Sequence, residues 1–329
     1  MFNNSLLWGQ PDWQAEAQAW IRATLDKSNL QLVGEIVQSH IRPWSTVMTV
    51  PTNEGMLFFK ASASVFAHET ALTDYLTRFR PEIFPELLAV DVKRHWMLMR
   101  DAGTPLRQFI RAEKSVARWK EVLPLYVSLQ KDMAEQTTHL LALGVMDRRL
   151  AKLPEMFESL IADETALMLD QEDSLTSEEY ARLKNCGPEF AQMCEALASF
   201  GIPETIHHDD FHDGNIFVRE GRIIFTDWGE SAITHPFFTL VVMMRGVDNS
   251  MGVDFSPESE QVRDMYLEYW TSYASMDELK SVVKLAQRIG YVNRALTWKM
   301  SIEDMPEGLR AEYAIAVPSY LKDFINAVG

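Results

Sequence analysis

The chain's most restrictive stretch runs Ile206-His207-His208-Asp209-Asp210-Phe211-His212-Asp213-Gly214-Asn215-Ile216-Phe217-Val218 and continues, after a short interruption, as Ile223-Ile224-Phe225-Thr226-Asp227-Trp228. Two short β-branched and aromatic runs, Ile216–Val218 and Ile223–Phe225, are joined by Arg219-Glu220-Gly221-Arg222. Glu-Gly at the tip predicts a hairpin. A hairpin returns the chain to its starting point, so Asn215 before the first strand is expected near Thr226-Asp227 after the second. Gly214 permits a tight turn immediately before Asn215. This part of the chain cannot be helix, although most of what surrounds it reads as helix.

An Asp and an Asn five residues apart on a loop, followed by an Asp at a strand end, is the layout of a phosphoryl-transfer centre. Asp210 can take the proton of an attacking hydroxyl, and Asn215 and Asp227 offer hard oxygen ligands to Mg²⁺. Taken singly, Asp and Asn in loops are ordinary turn formers; the combination with His208 at hairpin spacing carries the signal. The pattern His-x-Asp-x₄-Asn followed by a strand-borne Asp resembles the catalytic core of the aminoglycoside phosphotransferase and choline kinase superfamily, closely over residues 206–230 and loosely elsewhere. The resemblance implies an α+β, bilobal, protein-kinase-like fold, with a small, mostly antiparallel β N-lobe and a large, mainly helical C-lobe. It also implies an ATP- and Mg²⁺-dependent phosphotransferase acting on a hydroxyl of a small molecule of the amino-sugar, aminoglycoside or amino-alcohol type. His208 is a candidate catalytic residue, read more readily as a brace of the loop.

Composition sets the outer limits. At 329 residues and 47% hydrophobic, the chain can bury a core large enough for two lobes. No run of eighteen apolar residues occurs, so no membrane span is expected. The start, Met1 to Gly9, lacks a basic region and a long apolar core, so no signal peptide is expected and a cytoplasmic enzyme is the reading. Cys186 and Cys194 form neither a metal pattern nor a disulfide framework. Lys and Arg total 31 against 47 Asp and Glu, a net charge of −16 that argues against a nucleic-acid partner. The same excess, with Asp209, Asp213 and Glu230 flanking the motif, favours a cationic acceptor.

Ahead of the motif, Asp12 to about Lys27 reads as an amphipathic helix. Strand-like runs follow at Leu32–Gln38, Thr46–Pro51 and Met56–Ala61, then a helix from about Val65 to Phe79, then strands at Leu87–Val92 and Trp96–Arg100. This is the order of a kinase N-lobe. On it the resemblance makes Lys60 the nucleotide-phosphate Lys and Glu69 its helix partner, with His68 and Glu82 as alternatives. The first turn, Ser39-His40-Ile41-Arg42-Pro43-Trp44-Ser45, has no glycine, so phosphate contacts from Ser39, Ser45 or Arg42 replace a Gly-rich loop. The stretch from Met97 to Leu106 resembles the interlobe hinge, with backbone groups of Met99, Arg100 and Asp101 against the adenine edge. The lobes are expected as residues 1–101 and 102–329.

Beyond the hinge the periodicity predicts helices at Trp119–Leu143 and Pro154–Leu169, and a third opened by the capping box Thr176-Ser177-Glu178-Glu179 and running to about Leu197. Pro236–Arg245 and a start at Ser256-Pro257 follow, with about three helices closing the chain near Ala327. Two departures from the resemblance stand out. Asp209 occupies the position before the catalytic Asp where Gly is usual, and Thr239 falls where an Asp normally ties the next helix to the catalytic loop, His235 being a possible substitute. Glu230, His235, Asp248, Tyr266, Arg294 and Trp298 are candidates for the acceptor pocket. Two other classes fit parts of the pattern. His207, His208, Asp209, Asp210, His212 and Asp213 could serve a metal-dependent phosphohydrolase, and a kinase-like fold can bind without turnover.

Overall fold

The computed structural model describes residues 7–303 except 170, 172 and 173, together with 305 and 307–327. Most of the Met1–Gly9 segment therefore lies outside the described residues. Packing divides the chain into two compact units, Met1–Thr104 with Phe217–Gly229, and Pro105–Ile216 with Glu230–Gly329. The boundary falls a few residues beyond the expected one. The hairpin belongs with the N-terminal unit rather than with the helices that flank it in sequence.

The N-terminal unit is built on an antiparallel sheet in the order β1-β2-β3-β5-β4, with β1 Val37–Ile41, β2 Ser45–Thr52, β3 Gly55–Ser62, β4 Leu87–Asp91 and β5 Trp96–Arg100. Alternation along β3 buries Leu57, Phe59 and Ala61 on one face and sends Phe58 and Lys60 to the other. The buried face meets α1 (Pro11–Lys27), which begins with Pro at its first position and turns Trp13, Ala17, Ile21 and Leu25 inward. Trp13, Trp20, Phe59 and Trp96 interlock there edge to face, at centroid distances of 5.5–6.3 Å. The first strand starts later than expected. Leu32 makes only an isolated bridge to Thr52, and Gly34, which weakens a strand, separates it from β1. Helix α2 (His68–Phe79) follows β3 after a short 3-10 turn.

The hairpin pairs Ile216–Arg219 with Arg222–Phe225. Glu220 and Gly221 both have positive φ, +53° and +77°, as a two-residue turn matched to the strand twist requires. It is docked on the N-terminal unit by Phe225 N–H to Ile83 O at 2.8 Å and by Arg222 to the Pro81 and Glu82 carbonyls. At Gly103 the hairpin comes so close that a Cβ would lie 2.3 Å from Val218 O.

The C-terminal unit is helical, with a small sheet in which Ala232–Thr234 lies between the partly exposed Met146–Asp147 and the buried Thr205–His207. Two of the expected helices are each two pieces. Trp119–Ala134 and Thr137–Ala142 replace the single long helix. The segment from Ser177 to Ala198 breaks at Cys186, because Pro188 has no N–H to continue the first helix. The capping box at Thr176 and Glu179 forms as read, and Ser256 caps the helix Pro257–Glu268. A 28-residue helix, Met276–Glu303, runs the length of the unit. Cys186 and Cys194 are both free thiols, and burial pushes Cys194 up to about 12. No helix among the described residues is long and apolar enough to cross a membrane.

Candidate active site

In the N-terminal unit, β3, α2 and the segment after the hairpin bring three charged groups together. Lys60 Nζ lies 2.5 Å from Glu69 Oε1 and 2.6 Å from Asp227 Oδ1. The second oxygen of Glu69 accepts from Ser62 Oγ at 2.5 Å. Of the three possible partners on or near the helix, it is Glu69 that meets Lys60; Glu82 pairs with Arg80 instead. Burial alone would lower Lys60, but the Asp227 and Glu69 carboxylates outweigh it and hold the ammonium above its ordinary range. Asp227 sits at φ +68°, a conformation Asp tolerates better than most residues, and its side chain is 53% exposed. Gly229 passes so close to Glu69 that a Cβ would be 3.3 Å from its Oε2. His40, on β1, carries the electrostatic influence of Asp227 and Lys60, and burial and Arg42 lower its pKa; no sequence signal singled it out.

Ser39 and Ser45 flank the first turn as expected, Ser39 exposed on β1 and Ser45 buried at the start of β2. The hinge expectation concerns the backbone at and after the end of the strand Trp96–Arg100. Arg100 N–H is taken by Glu86 O, and Asp101 N–H by Met56 O. Asp101 O accepts from Arg219, while the Arg100 guanidinium bridges Glu54 and Glu86. Met99 pairs with Phe58 on one side and Leu87 on the other, in the interior of the sheet. The N–H groups of Arg100 and Asp101 and the Asp101 carbonyl are thus engaged within the sheet and its turn.

In the C-terminal unit the strand Thr205–His207 delivers the loop that carries Asp210. Asn215 Nδ2 donates to both Asp210 Oδ2, at 2.9 Å, and Asp210 O, at 3.0 Å. His212 is a neighbour the motif reading passed over except as part of the His/Asp cluster. Its Nδ1 faces two donors, Gly214 N–H at 2.9 Å and Arg107 at 3.1 Å, which assigns the proton of the neutral ring to Nε2, 3.3 Å from Asp210 Oδ2. Burial would raise Asp210, but the hydrogen bond and charge of His212, with Arg294 and His208, hold its carboxyl well below the usual range. Asp210 is thus an ionised, weakly basic carboxylate, 30% exposed. A Cβ at Gly214 would lie 2.7 Å from the His212 ring, so a larger residue there would displace His212.

His208 is fully buried, edge-on to Phe211, with its backbone N–H toward the Tyr126 hydroxyl at 3.4 Å. It braces the loop from the core. Among the acceptor-pocket candidates, Tyr266 is fully buried, donating to Gln130 at 2.8 Å, and His235 is buried, capping a 3-10 turn through Phe237 N–H. Burial lowers His235 to about 3, so it stays neutral. Both are core residues and cannot line a pocket. Asp248 ties down the backbone of Phe255 and Ser256 at the start of the next helix. Trp298 stacks on Tyr313 at 6.4 Å. Arg294 is buried and paired with Glu230 at 2.5 Å and with Asp209 at 3.3 Å.

The carboxylates that suggested a cationic acceptor are already neutralised within the unit. Asp209 faces Arg148 and Arg294, Asp213 is held by Arg107 at 2.8 Å and Ser250 at 2.5 Å, and Glu230 is held by Arg294. Asp209 and Asp213 are buried against these cations, while Glu230 is 20% exposed beside Arg294. The same burial removes His207, Asp209 and Asp213 from the hydrolase reading. Among the described residues no group of three or more His, Cys, Asp or Glu side chains is arranged to hold a metal.

A profile of the phosphotransferase enzyme family (APH) matches residues 64–279. A search of curated proteins finds no match. Among solved structures, choline kinase from Cryptosporidium parvum is similar at 13% identity and TM-score 0.61, over 94% of this chain and 95% of that one. Ethanolamine kinase from Plasmodium vivax is similar at 12% identity and TM-score 0.62, over 97% and 91%. An aminoglycoside phosphotransferase, APH(3'')-Id from Streptomyces rimosus, solved with ADP and streptomycin, is similar at 17% identity and TM-score 0.52, over 86% and 99%. These likenesses establish the α+β, protein-kinase-like fold, and the profile, spanning most of the chain and covering Glu69, Asp210, Asn215 and Asp227, establishes that the chain belongs to the phosphotransferase enzyme family.

Proposed function

We propose that this protein transfers the γ-phosphoryl group of ATP to a hydroxyl of a small molecule, with Mg²⁺ as the metal. The observation that carries the reading is the Lys60 ammonium held between Glu69 and the half-exposed Asp227. A lysine fixed this way presents its charge at a constant position to nucleotide phosphates. The donor chemistry of each residue suits a hard divalent cation: Asp227 has carboxylate oxygens and Asn215 an amide oxygen, and these are the residues that would hold Mg²⁺. When bound, Mg²⁺ would neutralise charge developing on the phosphoryl oxygens.

The protein's own residues do the rest. Lys60 holds phosphate oxygens, and Glu69 with Ser62 keeps it from swinging away. Asp210, low in basicity and held by Asn215 and His212, orients the acceptor hydroxyl and takes its proton late, as suits a loose transition state. His208 and Phe211 pack the loop from behind. The acceptor type, an amino sugar, aminoglycoside or amino alcohol, is drawn from the named ligands and activities of the structural neighbours, not from charge around the motif.

The test is phosphoester formation from Mg²⁺-ATP, followed by ³¹P NMR, across a panel of amino alcohols, amino sugars, aminoglycosides and uncharged hydroxyl compounds. A new phosphoester that vanishes on chelating the metal is expected. Failure to form one with any acceptor class, at full occupancy by nucleotide, overturns the proposal.

A further inference from the structure

The residue before Asp210 is an unusual one for its place. Asp209 adopts φ +65°, in the left-handed region, and is fully buried. Its carboxylate is completely engaged: Oδ1 accepts from Asn293 Nδ2 at 2.8 Å and from His207 Nε2 at 2.9 Å, and Oδ2 accepts from Thr297 Oγ1 and faces Arg294 at 3.3 Å and Arg148 at 3.5 Å. Its carbonyl accepts from Arg294 at 3.0 Å. Asn293, Arg294 and Thr297 lie on successive turns of the helix Met276–Glu303. On the far side of Asp210 the loop has a second buried anchor, Asp213, held by Arg107 and Ser250. The helix after the hairpin, by contrast, meets this region through a neutral contact, Thr239 with the Tyr126 hydroxyl at 3.3 Å.

We propose that Asp209 is a positioning residue, clamped by the 276–303 helix so that its strained backbone presents Asp210 in one orientation. Left-handed backbone at a non-glycine residue persists only where its surroundings over-determine it, and here two guanidiniums, an amide, an imidazole and a hydroxyl do so. The main-chain bond from Arg294 fixes the peptide that links Asp209 to Asp210, so the clamp acts on Asp210 through one covalent step. Asp209 itself touches no reacting atom. The inference rests on the kinase reading above for the meaning of Asp210, but not for the existence of the clamp.

The test uses the full chain and three variants: Asp209→Gly, which suits the positive φ and removes the carboxylate; Thr297→Val, which removes one arm from the helix side; and the two combined. ADP formation from Mg²⁺-ATP in the presence of the acceptor gives kcat and KM, and calorimetry gives affinity for a non-hydrolysable ATP analogue. Hydrogen exchange reads the loop 206–216. Asp209→Gly is expected to lower kcat by about 10- to 100-fold with KM for ATP and analogue affinity within about 2-fold, the signature of an interaction lost at the chemical step. Thr297→Val is expected to lower kcat by about 5-fold in the parent and not at all in the Gly background, because both changes cut the same tie. Loop amides should exchange at least about 10-fold faster in each variant while the β1–β5 sheet is unchanged. Parental kcat in Asp209→Gly, independent losses in the double variant, or unchanged loop exchange each overturn the proposal. If Asp209→Gly does not fold, Thr297→Val alone decides on the same two readouts. If the parent turns over no ATP, the kinase reading is what fails, and loop exchange then decides the clamp.

Discussion

The two units each gather charge around one central cation, and they do it in opposite ways. Lys60 stands between two carboxylates, Glu69 and Asp227, so the cluster has an excess of negative charge, and its outer member is half exposed. Arg294 also stands between two carboxylates, Asp209 and Glu230, but Arg148 joins from behind and the network is buried apart from Glu230, which is 20% exposed. The first cluster sets two carboxylates against one ammonium and has its outer carboxylate half exposed. The second matches two guanidiniums with two carboxylates and is mostly buried. An unbalanced, open cluster suits ligand binding, whereas a balanced, buried one holds a shape. Substitutions in the first should therefore change activity and leave the fold alone, and substitutions in the second should do the reverse or both.

The largest effect is expected at Asp227. Asp227→Ala removes the exposed carboxylate and the chelating oxygen, and activity should fall on the order of 10³-fold, the scale of losing one charge-stabilising group at a reacting centre. Calorimetry with Mg²⁺ and an ATP analogue should show the metal dependence gone. Because Asp227 is half exposed and Glu69 remains paired with Lys60, stability should change by less than about 1 kcal/mol. A large loss of stability would erase the contrast between the two clusters. Asp210→Asn should follow, with kcat down by about 10²-fold and nucleotide affinity intact, the range for removing a general base. Turnover close to the parent's would mean that another group takes the proton.

Arg294→Met is the mirror experiment. It leaves Asp209 and Glu230 buried without their shared partner, a change that costs about 3–5 kcal/mol when one side of a buried pair is removed. Chemical denaturation should show the loss, while binding of the ATP analogue to the surviving folded protein should stay near the parent's. An unfolding free energy within 1 kcal/mol of the parent's, read as about one tenth of typical domain stability, would mean the network is not buried as described.

These contrasts follow from which parts of the site are local in sequence. The hairpin was readable because β-branched runs and a Glu-Gly turn are short-range signals, and the positive φ at Glu220 and Gly221 is what that turn demands. Lys60 and Glu69 were readable because the element order resembles a kinase N-lobe and that resemblance picks them out, and the structure brings them together. The clamp on Asp209 was not readable. Its partners Asn293, Arg294 and Thr297 lie more than eighty residues away on a helix whose polar inward positions look, in sequence, like any solvated stripe. The same blindness put Tyr266 and His235 among pocket candidates: polar residue types suggest exposure, but Gln130 and the Phe237 amide satisfy them inside the core. Conversely, the break at Pro188 was legible from proline chemistry and was passed over in favour of an uninterrupted helical period.

The smallest effect is expected at Glu230, and it distinguishes a balanced network from a merely crowded one. Burial pushes Glu230 up to about 7, and neighbouring Asp210 and Asp209 reinforce that against the pull of Arg294. In the unfolded chain the same carboxyl titrates near 4.5. The folded-state value is the higher of the two, so the folded state keeps a proton that the unfolded state releases. Stability contributed by that proton is fully present below about 4.5 and is lost as pH rises through about 7. Across that window the loss is on the order of 3–4 kcal/mol, from roughly 1.4 kcal/mol for each unit of separation. Glu230→Gln cannot titrate. Its stability relative to the parent should therefore be constant below about pH 4.5, improve through the window, and level off above about 7. Any fixed cost of weakening the contact with Arg294 offsets the whole curve without changing its slope. Urea denaturation of both proteins at several pH values measures the difference directly. A flat difference between pH 4 and 8 would show that Arg294 fully compensates Glu230 and that the network is balanced at every pH. A rising one would show that Glu230 is the point at which this mostly buried cluster still answers to the solvent.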